Sequence, residues 1–136
     1  MKDLASQIGL DKVHAVVSDF YDRVQTHPRL AMPFAIVEDW PEHKAHLSHF
    51  WWVTLGGKRY REKPYSVAEK HALAGFTPAL LQEWLALFRQ TLAAHLPAEY
   101  SDEWLARAEH IGRSLELMHE FHSRKRTASA VDIECR

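Results

Sequence analysis

Val13, Val16, Val17, Phe20, Tyr21 and Val24 recur at i, i+3, i+4, i+7, i+8 and i+11. This spacing lines one face of a helix with apolar side chains and is incompatible with the two-residue alternation of a half-buried strand. Pro28 stops that segment. The stretch from Arg29 to Trp40 holds no sustained period and reads as a short helical turn and a connection ahead of Pro41. A second helix is expected from Pro41, since proline suits the first helical position. Its inward stripe is His43, Leu47, Phe50, Trp51 and Leu55, and Gly56-Gly57 should end it in a left-handed conformation. Ser66 with Glu69 forms a capping-box pattern, which predicts a short helix carrying Val67 and His71 on one face. Thr77-Pro78 pairs a capping hydroxyl with a tolerated proline and starts a long helix with Leu81, Trp84, Leu85, Phe88 and Leu92 at helical spacing, closed by Pro97. The last helix is expected from about Ser101 to His122, with Trp104, Ala108, Ile111, Leu115 and Met118 on one face.

No Asn-Gly or Asp-Gly pair separates alternating apolar residues, so strands are not predicted and the fold class is all-α. Periodicity alone leaves a bundle and a globin-like sandwich both open. Phe20, Tyr21, Phe34, Phe50, Trp51, Phe76, Trp84 and Phe88 all fall on or near inward positions. They would suit a flat aromatic cofactor or, equally, a plain aromatic core.

At 136 residues the chain has room for one domain of the usual size, roughly 150 residues. Residues 1–122 are expected to form it, and 123–136 (SRKRTASAVDIECR), which lack an apolar period, to form a mobile tail. Lys and Arg number 17 against 18 Asp and Glu, so no basic face for a phosphate backbone is implied and nucleic acid is not an expected partner. The five glycines fit neither a dinucleotide fingerprint nor a P-loop. The one cysteine, Cys135, excludes an internal disulfide and a Cys-based metal cage. The longest stretch free of Asp, Glu, Lys and Arg runs from Ala45 to Gly57, too short to span a bilayer, and MKDLASQIGLDK holds no signal-like apolar core. A cytoplasmic address without membrane contact is expected.

Ten histidines raise the prospect of metal or haem chemistry, because neutral imidazole binds transition metals. His71, on its short capped helix, can supply the imidazole that a haem iron needs from a rigid element; the alternative is a core histidine satisfied by backbone and solvent. A gas held by such an iron gains partial negative charge and is steadied by donors on the opposite wall. Tyr21 O–H, His43 N–H and Trp84 N–H are candidate donors, each with a plainer reading as a packing residue with a polar handle. His43, His46 and His49 recur every third residue, which turns His43 and His49 about 120° apart and keeps them from converging on one ion; His46 is left to reach a haem propionate. Glu116-x-x-His119 has di-iron spacing, but no second such motif lies on a defined inward face. Serine nucleophiles lack their elbow motif, and Cys135 has no ordered histidine nearby.

Five strings in order, FYDRV (Phe20 to Val24), HPRLAMPF (His27 to Phe34), WPEHKAHLSHFW (Trp40 to Trp51), RYREKPYSVAEKH (Arg59 to His71) and ALLQEWLALF (Ala79 to Phe88), together resemble the truncated haemoglobins. The third group resembles them best, since only the later glycine pair, Gly56-Gly57, has a counterpart here. The resemblance covers residues 10 to 122 and implies a two-over-two helical sandwich around haem b. It makes His71 the proximal iron ligand. It makes Tyr21, His43 and Trp84 the distal residues, Phe34 the ring stacked on the haem, and Leu47 the apolar wall one turn beyond His43. Arg59, Tyr60 and His46 become candidates for propionate contacts. The basic tail with Cys135 matches no motif of the family.

The resemblance further implies binding of O₂, NO and CO. Oxidation of NO to nitrate and peroxidase-like turnover are redox uses compatible with it, each drawing electrons from a separate reductase, because the chain holds no flavin or nicotinamide domain. Whether the protein is an enzyme stays open on the sequence. The competing class is a haem-free helical module whose aromatic interior receives a protein partner or an apolar small molecule.

Overall fold

A computed structural model describes residues 3–61 and 77–114, and every regular element among them is helical. The expected helix around His71, the segment Glu116 to His119 and the expected tail fall outside the described residues.

The chain opens with α1 (Leu4–Ile8), whose N-cap Asp3 accepts from Ser6 N at 2.7 Å. The sequence reading assigned no helix there, because five residues are too few to show a period. Gly9, at φ 90°, ends α1 and starts α2 (Leu10–Thr26), a backbone angle that residues with a Cβ rarely adopt. The six residues of the apolar stripe are all buried in α2. His27 stops the helix in an extended conformation, which the following Pro28 favours. Its Nδ1 then accepts from the amides of Arg29 and Leu30 at 3.1 and 3.2 Å, fixing the turn into a short 3₁₀ helix, Pro33–Ile36.

Asp39 caps α3 (Trp40–Thr54), accepting from Glu42 N at 3.1 Å. Gly56, at φ 104°, lies just past the end of α3, as the glycine pair implied. A Cβ on Gly56 would stand 2.8 Å from that of Asp3, and one on Gly57 would strike the Trp52 ring. This close approach lets Ala5 N donate to Leu55 O at 2.9 Å, tying α1 to the end of α3. Thr77 caps α4 (Pro78–His95) as expected, its side chain accepting from Leu80 N. The last helix, α5 (98–114 within the described part), begins three residues earlier than the periodicity suggested. Pro97 carbonyl accepts from the amides of Tyr100 and Ser101 at 3.1 and 3.0 Å, so the proline that closes α4 also opens α5.

Helix α2 is central, packed against both α3 and α4. Its valines and Phe20 meet Leu47, Trp51 and Leu55 of α3, Leu81, Trp84, Phe88 and Leu92 of α4, and Trp104 and Ala108 of α5 in one buried core. Polar clasps at its rim hold the helices in register. Asp19 pairs with Arg23 and with His95 Nε2 at 2.8 Å, and Lys44 reaches Asp22 at 2.6 Å. Arg107 donates to Thr54 O at 2.6 Å, placing a cation on the C-terminal end of α3, where the helix dipole favours it.

Candidate functional site

The central core is a run of rings, and its order follows from the helical registers. Phe20 touches Tyr21, Trp84 and Phe88 edge-on, with centroids 4.8, 4.9 and 5.0 Å away. On the Tyr21 side the set continues to Phe34 at 5.7 Å and 65°, and to His43 at 5.5 Å and 84°. Pro33 at the head of the 3₁₀ helix sets Phe34, and the Asp39 cap sets the first turn of α3 that carries His43. On the other side Trp84 leans on Phe88 at 5.0 Å, and Phe88 stacks on Trp51 at 5.6 Å and 20°.

The structure therefore gathers Tyr21, Phe34 and His43 into mutual contact through Tyr21, and joins Trp84 to them through Phe20. Leu47, one turn after His43, is buried in the same core. Trp40 belongs to this wall as well, 5.8 Å from Tyr21 and 5.4 Å from His43. Sequence reasoning missed it, although its i, i+3 relation to His43 put both on one helix face.

Polar atoms in this region are cut off from solvent. His43 Nε2 and Trp84 Nε1 are both buried, and Trp84 Nε1 has no acceptor among the described residues. An indole nitrogen can only donate, and leaving such a donor buried and unsatisfied costs about 1–3 kcal/mol. Among the described residues no side chain or backbone oxygen accepts from Trp84 Nε1.

His46, Arg59 and Tyr60 gather elsewhere, around Glu42 and His49. His46 Nε2 lies 3.0 Å from Glu42 Oε1, and the Arg61 guanidinium donates to that same oxygen. Arg59 Nε donates to Arg61 O at 3.0 Å, and Tyr60 is 52% exposed. The residue that organises this rim is His49, to which the sequence reading gave no role. It is buried, its Nε2 accepts from the amides of Tyr60 and Arg61 at 3.1 and 3.3 Å, and its ring meets the Tyr60 ring at 4.5 Å. Acceptance at Nε2 requires the neutral ring with its proton on Nδ1. Burial, then the charges of Arg59, Arg61 and His46, hold its pKa below the usual histidine value.

The three histidines of α3 diverge as their spacing dictated: His43 to Tyr21, His46 to Glu42, His49 to the 60–61 amides. No group of three or more His, Cys, Asp or Glu able to hold a bare metal ion occurs among the described residues. No described helix is long and apolar enough to cross a membrane.

The described residues thus form an all-helical core in which buried N–H donors lie among aromatic rings. The sequence profile of the bacterial-like globins matches residues 4–124, and the chain belongs to that family. No curated protein matches it. The globin family is one of haem-type gas-binding proteins, so the all-helical fold and the choice between bundle and globin resolve together.

Proposed function

We propose that the chain is a truncated globin of the third group that holds haem b through His71 and receives O₂, NO or CO on the side walled by Tyr21, His43 and Trp84. The observation that carries this reading is the buried Trp84 Nε1, which has no acceptor among the described residues and is joined through Phe20 to the tyrosine of the wall. Haem supplies, when bound, an iron that takes up a diatomic gas. The residues present fit it: Trp84 N–H and Tyr21 O–H are donors suited to a polarised ligand, Phe34 and Leu47 are apolar side chains suited to a porphyrin, and His43 is partly buried against Tyr21.

Two donors in a water-excluded core favour slow release of O₂, since a charge-assisted hydrogen bond contributes about 1.5–3 kcal/mol. Slow release suits redox work better than transport. Conversion of NO to nitrate by the O₂-loaded protein, sustained by a separate reductase, is the reaction this wall supports best. The test is optical. The purified protein should show a Soret band that shifts under CO, and its oxygenated form should yield nitrate when mixed with NO in a stopped-flow cell. A colourless protein that takes up no added hemin would overturn the haem reading; binding without nitrate formation would overturn the redox reading alone.

A further inference from the structure

Resting on the haem reading, we propose that Trp40 is a positioning residue that holds the His43 imidazole against Tyr21 and so sets how fast a gas passes His43. The His43 ring is edge-on to two rings at once, to Tyr21 at 5.5 Å and 84° and to Trp40 at 5.4 Å and 88°. Trp40 and Tyr21 in turn lie 5.8 Å apart at 39°, so the three rings close a triangle. Tyr21 is fully inside the core, whereas Trp40 is only partly buried. His43 is partly buried as well, so the two rings of α3 form the more exposed corners of the triangle, both resting on Tyr21.

The backbone fixes both partners from one residue. Asp39 accepts from Glu42 N through its side chain, and its carbonyl accepts the first helical bond from His43 N at 2.9 Å. Pro41 follows Trp40 and is itself locked in φ. The Trp40 ring thus projects from a rigid first turn, three residues before His43 on the same face. A His43 side chain that swings away from Tyr21 loses the edge-to-face pairs that hold it, the one with Trp40 included. Such a pair is worth a factor of about two to ten in an equilibrium, and that is the factor by which Trp40 should hold the closed arrangement.

The experiment is CO rebinding after flash photolysis of the full-length protein, with Trp40→Ala, Trp40→Phe, His43→Ala and the double variant Trp40→Ala/His43→Ala. Trp40→Ala should raise the bimolecular association rate by about two- to tenfold, and Trp40→Phe, which keeps an edge-to-face partner, should restore most of the wild-type rate. The double variant should be no faster than His43→Ala alone. In NMR spectra the carbon-bound protons of His43 should move toward their random-coil positions in Trp40→Ala and not in Trp40→Phe, a readout independent of turnover. An unchanged rate in Trp40→Ala, or an equal acceleration when His43 is already alanine, overturns the role of Trp40 while leaving the haem reading standing. Absence of any CO-dependent spectral shift in the wild type overturns the haem reading and this inference with it.

Discussion

Replacing Trp84 by phenylalanine should separate stability from ligand retention, because the two depend on the same N–H with opposite sign. Without a ligand, Trp84 Nε1 is buried with no acceptor among the described residues, and removing it relieves a penalty of about 1–3 kcal/mol. The smaller ring leaves a void of roughly 40 Å³, costing about 1 kcal/mol at ~24 cal/mol per Å³, with a similar loss of buried apolar surface. The two sides nearly cancel, so urea unfolding of the ligand-free protein should change by less than about 1 kcal/mol, where truncating a large core side chain costs about 3–5 kcal/mol. The O₂ complex should behave otherwise. Losing a donor worth about 1.5–3 kcal/mol speeds dissociation about ten- to hundredfold, measurable by mixing the oxygenated protein with excess CO. Trp104→Phe is the control: its Nε1 is likewise buried with no acceptor among the described residues, but it contacts Trp51 and Phe88 rather than the Tyr21 wall. It should spare stability and leave O₂ dissociation alone. A Trp84→Phe protein destabilised by more than about 3 kcal/mol, with O₂ leaving at the wild-type rate, would refute the reasoning.

Tyr21→Phe should speed O₂ release by about tenfold or more by the same hydrogen-bond arithmetic, and an unchanged rate would remove Tyr21 from the wall. Gly56→Ala should destabilise the fold by about 1–2 kcal/mol in urea, since a Cβ is strained at positive φ and would meet Asp3 at 2.8 Å. His49 has a folded-state pKa depressed from its ordinary value of 6.5, so its contribution is fully present above that value. It declines as pH falls from there through the folded pKa, because the unfolded chain takes up the proton first. His49→Asn should accordingly flatten the acid limb of the stability profile relative to wild type, and parallel profiles would show that the imidazole does not titrate against folding.

Helix existence was legible wherever a long apolar stripe met a strong terminator. The Val13 to Val24 face, the Thr77-Pro78 start and the Gly56 stop all stand as their local chemistry requires. Helix α1 was not legible, because its signals are a single cap at Asp3 and a positive-φ Gly9 around five residues. The start of α5 was set late for a related reason: Pro97 serves two helices, and only its carbonyl bonds to Tyr100 and Ser101 reveal the second. At the site, helical spacing foretold that His43, His46 and His49 diverge, but not what each would meet. His49 finds its partners in backbone amides eleven and twelve residues away, and Trp40 gains its place through rings on α2 as well as α3. Such contacts are tertiary, and no periodicity encodes them.

The proposed function rests most heavily on His71 as the residue that would hold the haem iron. The direct measurement is the optical spectrum of reduced His71→Gly with and without CO, before and after adding free imidazole. The CO-sensitive Soret band should be lost or strongly altered in His71→Gly and should return when free imidazole is added. A variant whose Soret band and CO shift match the wild type without added imidazole would contradict it.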